Sequence, residues 1–471
     1  MSKRSDKRLR GAFAALLLVA AAAACTSHPS ASPPSVGNTT PSTARESDTQ
    51  LATEAYVWGS PLVITERTLQ SLAALAPENH LTFQPARSGL NSRTVVAPNT
   101  DTLYAIAPLD LRGEPYVLTV PAIHDRYYSF QMISAYTDSF AYVGTRATGG
   151  RAGRWAITPP GWHGTLPAGV TRLASPTPQL LVLGRFLVAD DADVARVHAL
   201  GSRIALAPLS TITGAAPAAA PPPFGRPAGT AQSVAAAGAG FFDELGDALA
   251  INPPTDPQER QTLARFAAIG IGAGRHPTTQ VGDARVQAAL TAGVRAGAAE
   301  VATAASKSAH TVDGWGVNLD VGTYGHDALT RAVVAQSGWG ANVPQEAVYA
   351  HSERDATGTP YSGAHRYVVH FPHGGLPPVN AFWSVTLYGP DRFFTANPIN
   401  RYAVGDRTAG LQYGTDGSLD IYIQHDPPAG HEANWLPAPA GRFELTLRLY
   451  LPKAQVLDGH YEYPKVQAAP Q

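Results

Sequence analysis

Three groups of side chains in this 471-residue chain carry polar chemistry at spacings that suit a ligand. Asn99, Asp101 and Tyr104 follow Pro98 and lead into a strongly apolar segment. An Asn-x-Asp at a strand entrance can hold a polar ligand or a cation through its side-chain oxygens. It can equally close a turn by bonding its own backbone. Asp125-Arg126-Tyr127-Tyr128 sets a guanidinium beside two phenols, a set able to hold a carboxylate or a sugar hydroxyl with Arg126 as the anchor and Tyr128 beside it. Arg-Tyr recurs at Arg366-Tyr367 and Arg401-Tyr402, where arginine stems can instead cover aromatic core edges. Trp383, Tyr388, Asn397, Arg401, Tyr402, Asn434 and Trp435 gather aromatics, amides and a guanidinium around one predicted sheet. That composition suits carbohydrate or peptide recognition, and equally a packed aromatic cluster or a protomer interface.

Proton transfer near neutrality needs an imidazole or a carboxylate, and His370 and Asp101 are the candidates. His365, His370 and His373 raise the question of zinc. Positions 365 and 370 point to opposite faces of one strand, so a shared metal needs a bulge, and no metal site is expected. No G-x-S-x-G elbow occurs, and Ser384 sits mid-strand on a face with Phe382 and Thr386. Neither a P-loop nor a dinucleotide fingerprint in a strand–turn–helix setting appears, so no cofactor is expected.

Lys plus Arg (35) nearly cancel Asp plus Glu (36), which leaves no basic field for a nucleic-acid backbone. The N-terminus carries Lys3, Arg4, Lys7, Arg8 and Arg10, then an apolar run from Gly11 to Ala24. That is the layout of a secretory signal, shorter than the roughly 20 residues that span a bilayer. Ala22-Ala23-Ala24-Cys25 resembles the lipobox of bacterial lipoproteins, with Ala where Leu is usual, and Cys25 is the chain's single cysteine. The resemblance implies acylation of Cys25 and a membrane anchor outside the cytoplasm; plain cleavage and secretion is the alternative.

Five segments must position these groups: a signal peptide (1–24), a Ser/Thr/Pro-rich tether (25–47), a β-sandwich domain with helices (48–213), a Pro/Ala-rich linker and helical segment (214–340), and a second β-sandwich (341–471). Gly (44) and Pro (40) favour short strands and turns. One helix is expected over 52–72, interrupted near Gly59-Ser60-Pro61, and another from Asp190-Asp191 to about 206. Asp256-Pro257-Gln258-Glu259 is a helix start in which Glu259 reaches back, and a long helix follows between Asp283 and Lys307. Strands are expected at 102–109, 116–120, 127–133 and 180–188, and alternation puts Phe443, Leu445, Leu447 and Leu449 on one face. A faint echo links Tyr127-Tyr128-Ser129 with Gln131 to Phe382-Trp383-Ser384 with Thr386.

The ordered motifs resemble a bacterial pairing. Glu54-Ala-Tyr-Val-Trp-Gly-Ser-Pro61, Pro98-Asn-Thr-Asp-Thr-Leu-Tyr104, Leu109-Asp-Leu111 and Asp125-Arg-Tyr-Tyr128 resemble domain of unknown function 1254. Asp355-Ala-Thr-Gly358, Pro377-Pro378, Ala381-Phe-Trp-Ser-Val-Thr-Leu-Tyr388, Asn397-Pro-Ile-Asn-Arg-Tyr402, Asp416-Gly-Ser418 and Asn434-Trp-Leu-Pro-Ala-Pro439 resemble domain of unknown function 1214. The resemblance implies an α+β, β-dominated fold of two jelly-roll-like β-sandwich domains joined by helices, and no settled reaction.

Two functions of different class follow, beside a purely structural homo-oligomer built on the aromatic strands. One is an anchored envelope protein that binds a small-molecule or carbohydrate ligand without turning it over. The other is an extracytoplasmic hydrolase-like enzyme in which His370 or the Asn99/Asp101 pair acts, with Arg126 holding an anion.

Overall fold

The computed structural model describes residues 46–74, 76–92 and 97–469; the signal segment, Cys25 and nearly all of the tether lie outside them. Helix α1 (Asp48–Ala73) opens on Ser47, whose hydroxyl accepts from the Gln50 amide in a capping box. It runs through Pro61 without the interruption expected from sequence. Proline leaves the Val57 carbonyl without its helical donor, and the Ser60 hydroxyl donates to that carbonyl at 3.3 Å. The helix packs along α2 (Ala284–Ala305), where Gly293 and Gly297 lie against Ala52, Thr53 and Tyr56. A methyl group at Gly293 would stand 2.4 Å from the Ala52 Cβ, so only glycine permits this approach.

The first sandwich has an inner sheet ordered β1 (Thr82–Phe83), β2 (Thr102–Asp110), β8 (Gln179–Leu187), β4 (Tyr128–Ser134) and β5 (Ser139–Gly144). Its outer sheet is ordered β7 (Val170–Ala174), β6 (Gly153–Thr158), β3 (Tyr116–Val120) and β9 (Ala205–Pro208). The helix after Asp190-Asp191 is shorter than expected, Val194–Gly201, because 205–208 pairs with β3 as a strand. In the second sandwich the inner sheet runs β10 (His310–Val312), β11 (Trp315–Val317), β12 (Ala347–Ser352), β18 (Glu444–Pro452), β14 (Val379–Tyr388) and β15 (Ala403–Gly405). The outer sheet runs β17 (Trp435–Pro437), β16 (Leu419–Gln424), β13 (Tyr367–Phe371) and β19 (Val466–Ala468). Strands β10 and β11 thus arise inside the segment read as linker and helices.

The two sandwiches repeat one topology. In each outer sheet a parallel pair, β6 with β7 and β16 with β17, joins a strand with two antiparallel neighbours. Each encloses its own core, Leu103, Phe130, Trp155 and Phe186 in the first and Trp383, Tyr367, Ile421 and Leu447 in the second. Period two then decides what the opposite face of each inner sheet meets. In the first sheet Ile106, Ile133, Leu181 and Leu183 pack under the helices, together with Trp58, Leu62 and Phe241. Beside them Tyr127 packs on Phe382 and Tyr450 of the second sandwich.

Where α1 crosses the first sheet it buries a carboxylate. Glu66 accepts from Asn252 at 2.7 Å, Asn252 donates also to Gln179 at 3.0 Å, and Gln179 donates to Asp110 at 2.8 Å. Burial, reinforced by the nearby Asp110 charge, pushes the Glu66 carboxyl up to about 7. A folded-state value above the unfolded one holds the extra proton in the native state, so stability falls as pH rises from about 4 to 7. Glu66→Gln is expected to remove this loss, adding on the order of 2–3 kcal/mol at pH 8 and little near pH 4. Urea denaturation at both pH values checks it, and equal effects at the two would count against the assignment.

Candidate functional site

The inner sheets face each other, and equivalent strands supply equivalent rows of side chains. Cross-strand neighbours read Tyr104, Arg185, Ser129 in the first sheet and Tyr349, Arg448, Ser384 in the second. Arg185 donates to Gln131 Oε1 at 2.6 Å, to Asn342 Oδ1 at 3.1 Å and to the Gly340 carbonyl at 2.9 Å. Arg448 donates to Thr386 Oγ1 at 2.6 Å, to the Tyr388 hydroxyl and to the Ala97 carbonyl. Gln131 and Thr386 are the paired members of the sequence echo, so the echo residues hold matching arginines. The ion pairs cross reciprocally. Asp101 of the first domain accepts from Arg407 of the second at 2.9 Å, and Glu346 of the second accepts from Arg146 of the first at 2.6 Å.

At the Asp101 corner the carboxylate's other oxygen accepts from Ser384 Oγ at 2.7 Å. The Asn99 side chain accepts from the Asp101 amide at 2.7 Å, closing the turn, while its Nδ2 donates to the Tyr450 hydroxyl of the other domain at 2.9 Å. Outside this corner lies a cleft of about 580 Å³ between the sandwiches, walled by Arg87, Thr100, Asp101 and Val188–Asp191 on one side and by Ile399–Ala403, Gly405 and Arg407–Ala409 on the other. Three arginines there, Arg87, Arg401 and Arg407, face three carboxylates, Asp101, Asp190 and Asp191, so the walls carry balanced charge. Exposed Ile399 and half-buried Tyr402 add an apolar edge.

Of the residues singled out in sequence, Asp101, Arg401 and Tyr402 line this cleft, and Asn99 stands directly behind it. The others are placed differently. Arg126 is not free for a ligand: it is clamped by Asp193 at 2.9 Å and the Leu187 carbonyl at 3.1 Å. Tyr128 points into the first sandwich core against Phe186, and its neighbour Tyr127 is the one that reaches the interface. Trp383 lies inside the second core against Phe371. Trp435 is buried and donates to the Gln424 carbonyl at 2.8 Å, and Asn434 ties Gln412 to Asp420. Asn397 bonds within its own loop, accepting from the Arg401 amide at 3.0 Å. Arg401 gathers the carbonyls of Glu432, Ala433 and Trp435. Glu259 turns from its own helix end to Trp58 and Arg331. His370 sits on the outer sheet, 2.6 Å from Asp420, beside a separate hollow of about 550 Å³. The pairing of His370 or Asp101 with Arg126 therefore does not assemble. Among the described residues no cluster of His, Cys, Asp or Glu could hold a metal ion.

Comparison with known proteins accords with this architecture. Residues 79–208 match the family model described as protein of unknown function (DUF1254), and residues 346–454 match that for protein of unknown function (DUF1214). The chain thus carries both domains, DUF1254 before DUF1214. The crystal structure of a protein from Vibrio parahaemolyticus aligns with a TM-score of 0.70 at 23% identity, over 90% of this chain and 100% of that one. A crystal structure from Burkholderia cenocepacia aligns at 0.43 and 15% identity, over 88% of each chain. No curated protein matches. In this DUF1254–DUF1214 chain, sequence reasoning missed Arg185, Arg448, Glu346, Arg146 and Arg407. A signal existed for the first two: a single arginine interrupts each of the apolar strands 179–187 and 444–452.

Asp101→Ala removes the partner of both Arg407 and Ser384 at a nearly buried position. It is expected to cost roughly 2–4 kcal/mol. His370→Ala, at an exposed pair, should cost under about 1 kcal/mol. Parallel urea titrations decide the point; equal losses would show that the Asp101 corner does not join the domains.

Proposed function

We propose that this is an exported envelope protein, anchored through Cys25, that binds a neutral polyhydroxylated small molecule of carbohydrate type in the cleft between its two sandwiches. The observation that carries the reading is the cleft itself: both domains contribute its walls, its charges balance, and hydroxyl and amide groups alternate with an apolar edge. Such a surface stacks on the flat face of a sugar through Tyr402 and Ile399 and meets hydroxyls through Asn400, Ser88 and Thr408. A charged ligand would find no net attraction there. The first twenty-five residues motivate export and anchoring, since a basic, then apolar, then small-residue leader ends on the lone cysteine. Among the described residues no helix is long and apolar enough to cross a membrane.

Binding without turnover is favoured over hydrolysis because Ser384, whose hydroxyl is held by the Asp101 carboxylate, is buried and bonds no imidazole among the described residues. Calorimetric titration of the detergent-solubilised full chain with neutral mono- and oligosaccharides is expected to show saturable binding. Tyr402→Ala should weaken it by roughly tenfold, about 1.4 kcal/mol. Steady conversion of any titrated compound, abolished in a folded Ser384→Ala variant, would establish the hydrolase instead. Labelling of the chain with a radioactive fatty acid should disappear in Cys25→Ala, and persistence of the label would remove the anchor from the reading.

A further inference from the structure

The interface between the inner sheets buries a cation that is hydrogen-bonded by neutral groups. Arg185 is among the largest fully buried side chains, and no carboxylate among the described residues pairs with it. Three of its five N–H groups are spent, two from Nη1 and one from Nη2. Among the described residues the Nε–H has no hydrogen-bond partner, and a second donor remains on Nη2. Nε and Nη2 form the edge of a guanidinium that fits a carboxylate with two parallel hydrogen bonds.

Among the described residues two other arginines also bury an unbonded Nε, and they show what is unusual here. Arg126 faces Asp193, and Arg331 faces Glu259 and Asp138. Only Arg185 of the three is met by neutral groups: Gln131, Asn342, Gly340 and the ring of Tyr104, 5.6 Å from the guanidinium carbon. The surrounding phenols do not supply a counter-charge, because burial holds Tyr127 and Tyr450 well above the usual phenol range and therefore protonated. An uncompensated buried guanidinium costs several kcal/mol.

Tyr104 and Tyr349, which lie between the two inner sheets, each remain partly exposed. The Tyr349 hydroxyl accepts from Asn342 Nδ2 at 3.0 Å and the Tyr450 hydroxyl accepts from Asn99 Nδ2 at 2.9 Å, so each keeps its own proton to donate. Aromatic rings form the remaining walls, with Tyr450 6.2 Å from Tyr349 and stacked on Phe382 at 4.1 Å.

We infer that the layer between the two inner sheets, entered past Tyr104 and Tyr349, binds a small carboxylate with a flat apolar body, taken by the free edge of Arg185 and the hydroxyls of Tyr349 and Tyr450. It is distinct from the outer cleft. The Arg407 guanidinium, Phe382 and Tyr450 form a stack that runs inward from the cleft wall, with Arg407 4.2 Å over the Phe382 ring. The proposal does not rest on the saccharide reading.

The test uses the full chain in detergent and benzoate as probe, with benzamide as the neutral isostere and chloride as the simple anion. Benzoate is expected to raise the melting midpoint saturably at millimolar concentration, while benzamide and chloride do not. Arg185→Lys keeps the charge and loses the planar edge, and should weaken benzoate by at least about tenfold. Should that variant not fold, Tyr349→Phe serves; loss of one hydroxyl donor should weaken benzoate by roughly threefold or more. Tyr402→Ala should leave benzoate affinity unchanged, which separates this site from the cleft. Equal stabilisation by benzamide or by chloride alone, absence of any benzoate effect, or benzoate affinity insensitive to Tyr349→Phe would overturn the assignment.

Discussion

Two carboxylates, Asp101 and Glu346, each buried beside a strand entrance of their own domain, find their arginines in the other domain. A buried carboxylate stripped of its partner is costly, so the arrangement admits one mutual orientation of the sandwiches, in which both exchanges are made together. Its geometry is that of an isologous interface folded into a single chain: the patch Asp101 and Arg146 meets the patch Glu346 and Arg407, each complementary to the other. Every other feature of the interface follows from that docking. It brings Tyr127 onto Phe382 and Tyr450, aligns the Arg185 and Arg448 rows, and leaves the outer cleft where the Asp101 corner faces solvent.

Much of this architecture was legible. The apolar runs at 102–109, 116–120 and 180–188 match strands to within a residue or so, because each is a mostly buried segment set off by a nearby proline or glycine. Asp256 caps its helix as its residue type demands. The continuation of α1 through Pro61 was not legible, since it depends on a serine hydroxyl one residue earlier and on the packing of Leu245 against Gly59. The shortness of the helix after Asp191 was hidden for a similar reason: residues 205–208 are drawn into pairing with a strand some ninety positions earlier, a non-local demand that overrides local propensity.

The site was read less well, and parity explains why. At Tyr127-Tyr128 composition cannot say which phenol faces the core; register puts Tyr128 inside and Tyr127 at the interface. The aromatic and amide residues around the second sheet were visible as a group, but Asn397, Asn434 and Arg401 spend their donors on backbone carbonyls, which no spacing in the sequence announces. The partners of Asp101 lie near positions 384 and 407 of the chain, so their convergence is a property of domain docking.

The internal repeat makes the differences between its halves more informative than the likenesses. Arg448 meets two hydroxyls and a carbonyl, with Asp101 nearby to offset its charge. Arg185, its counterpart, meets amide and carbonyl oxygens, and the matching carboxylate, Glu346, is held by Tyr127 and Arg146 instead. Asp101 likewise bonds a serine where Glu346 bonds a phenol. A duplicated scaffold whose only task was to dock on itself would gain nothing from leaving one arginine uncompensated, because a carboxylate nearby would offset the cost of burial. The imbalance is concentrated on polar groups at the centre of the interface, while the paired topology around them is preserved, and that is the pattern expected when one half of a repeat keeps the structural role and the other is free to meet a ligand.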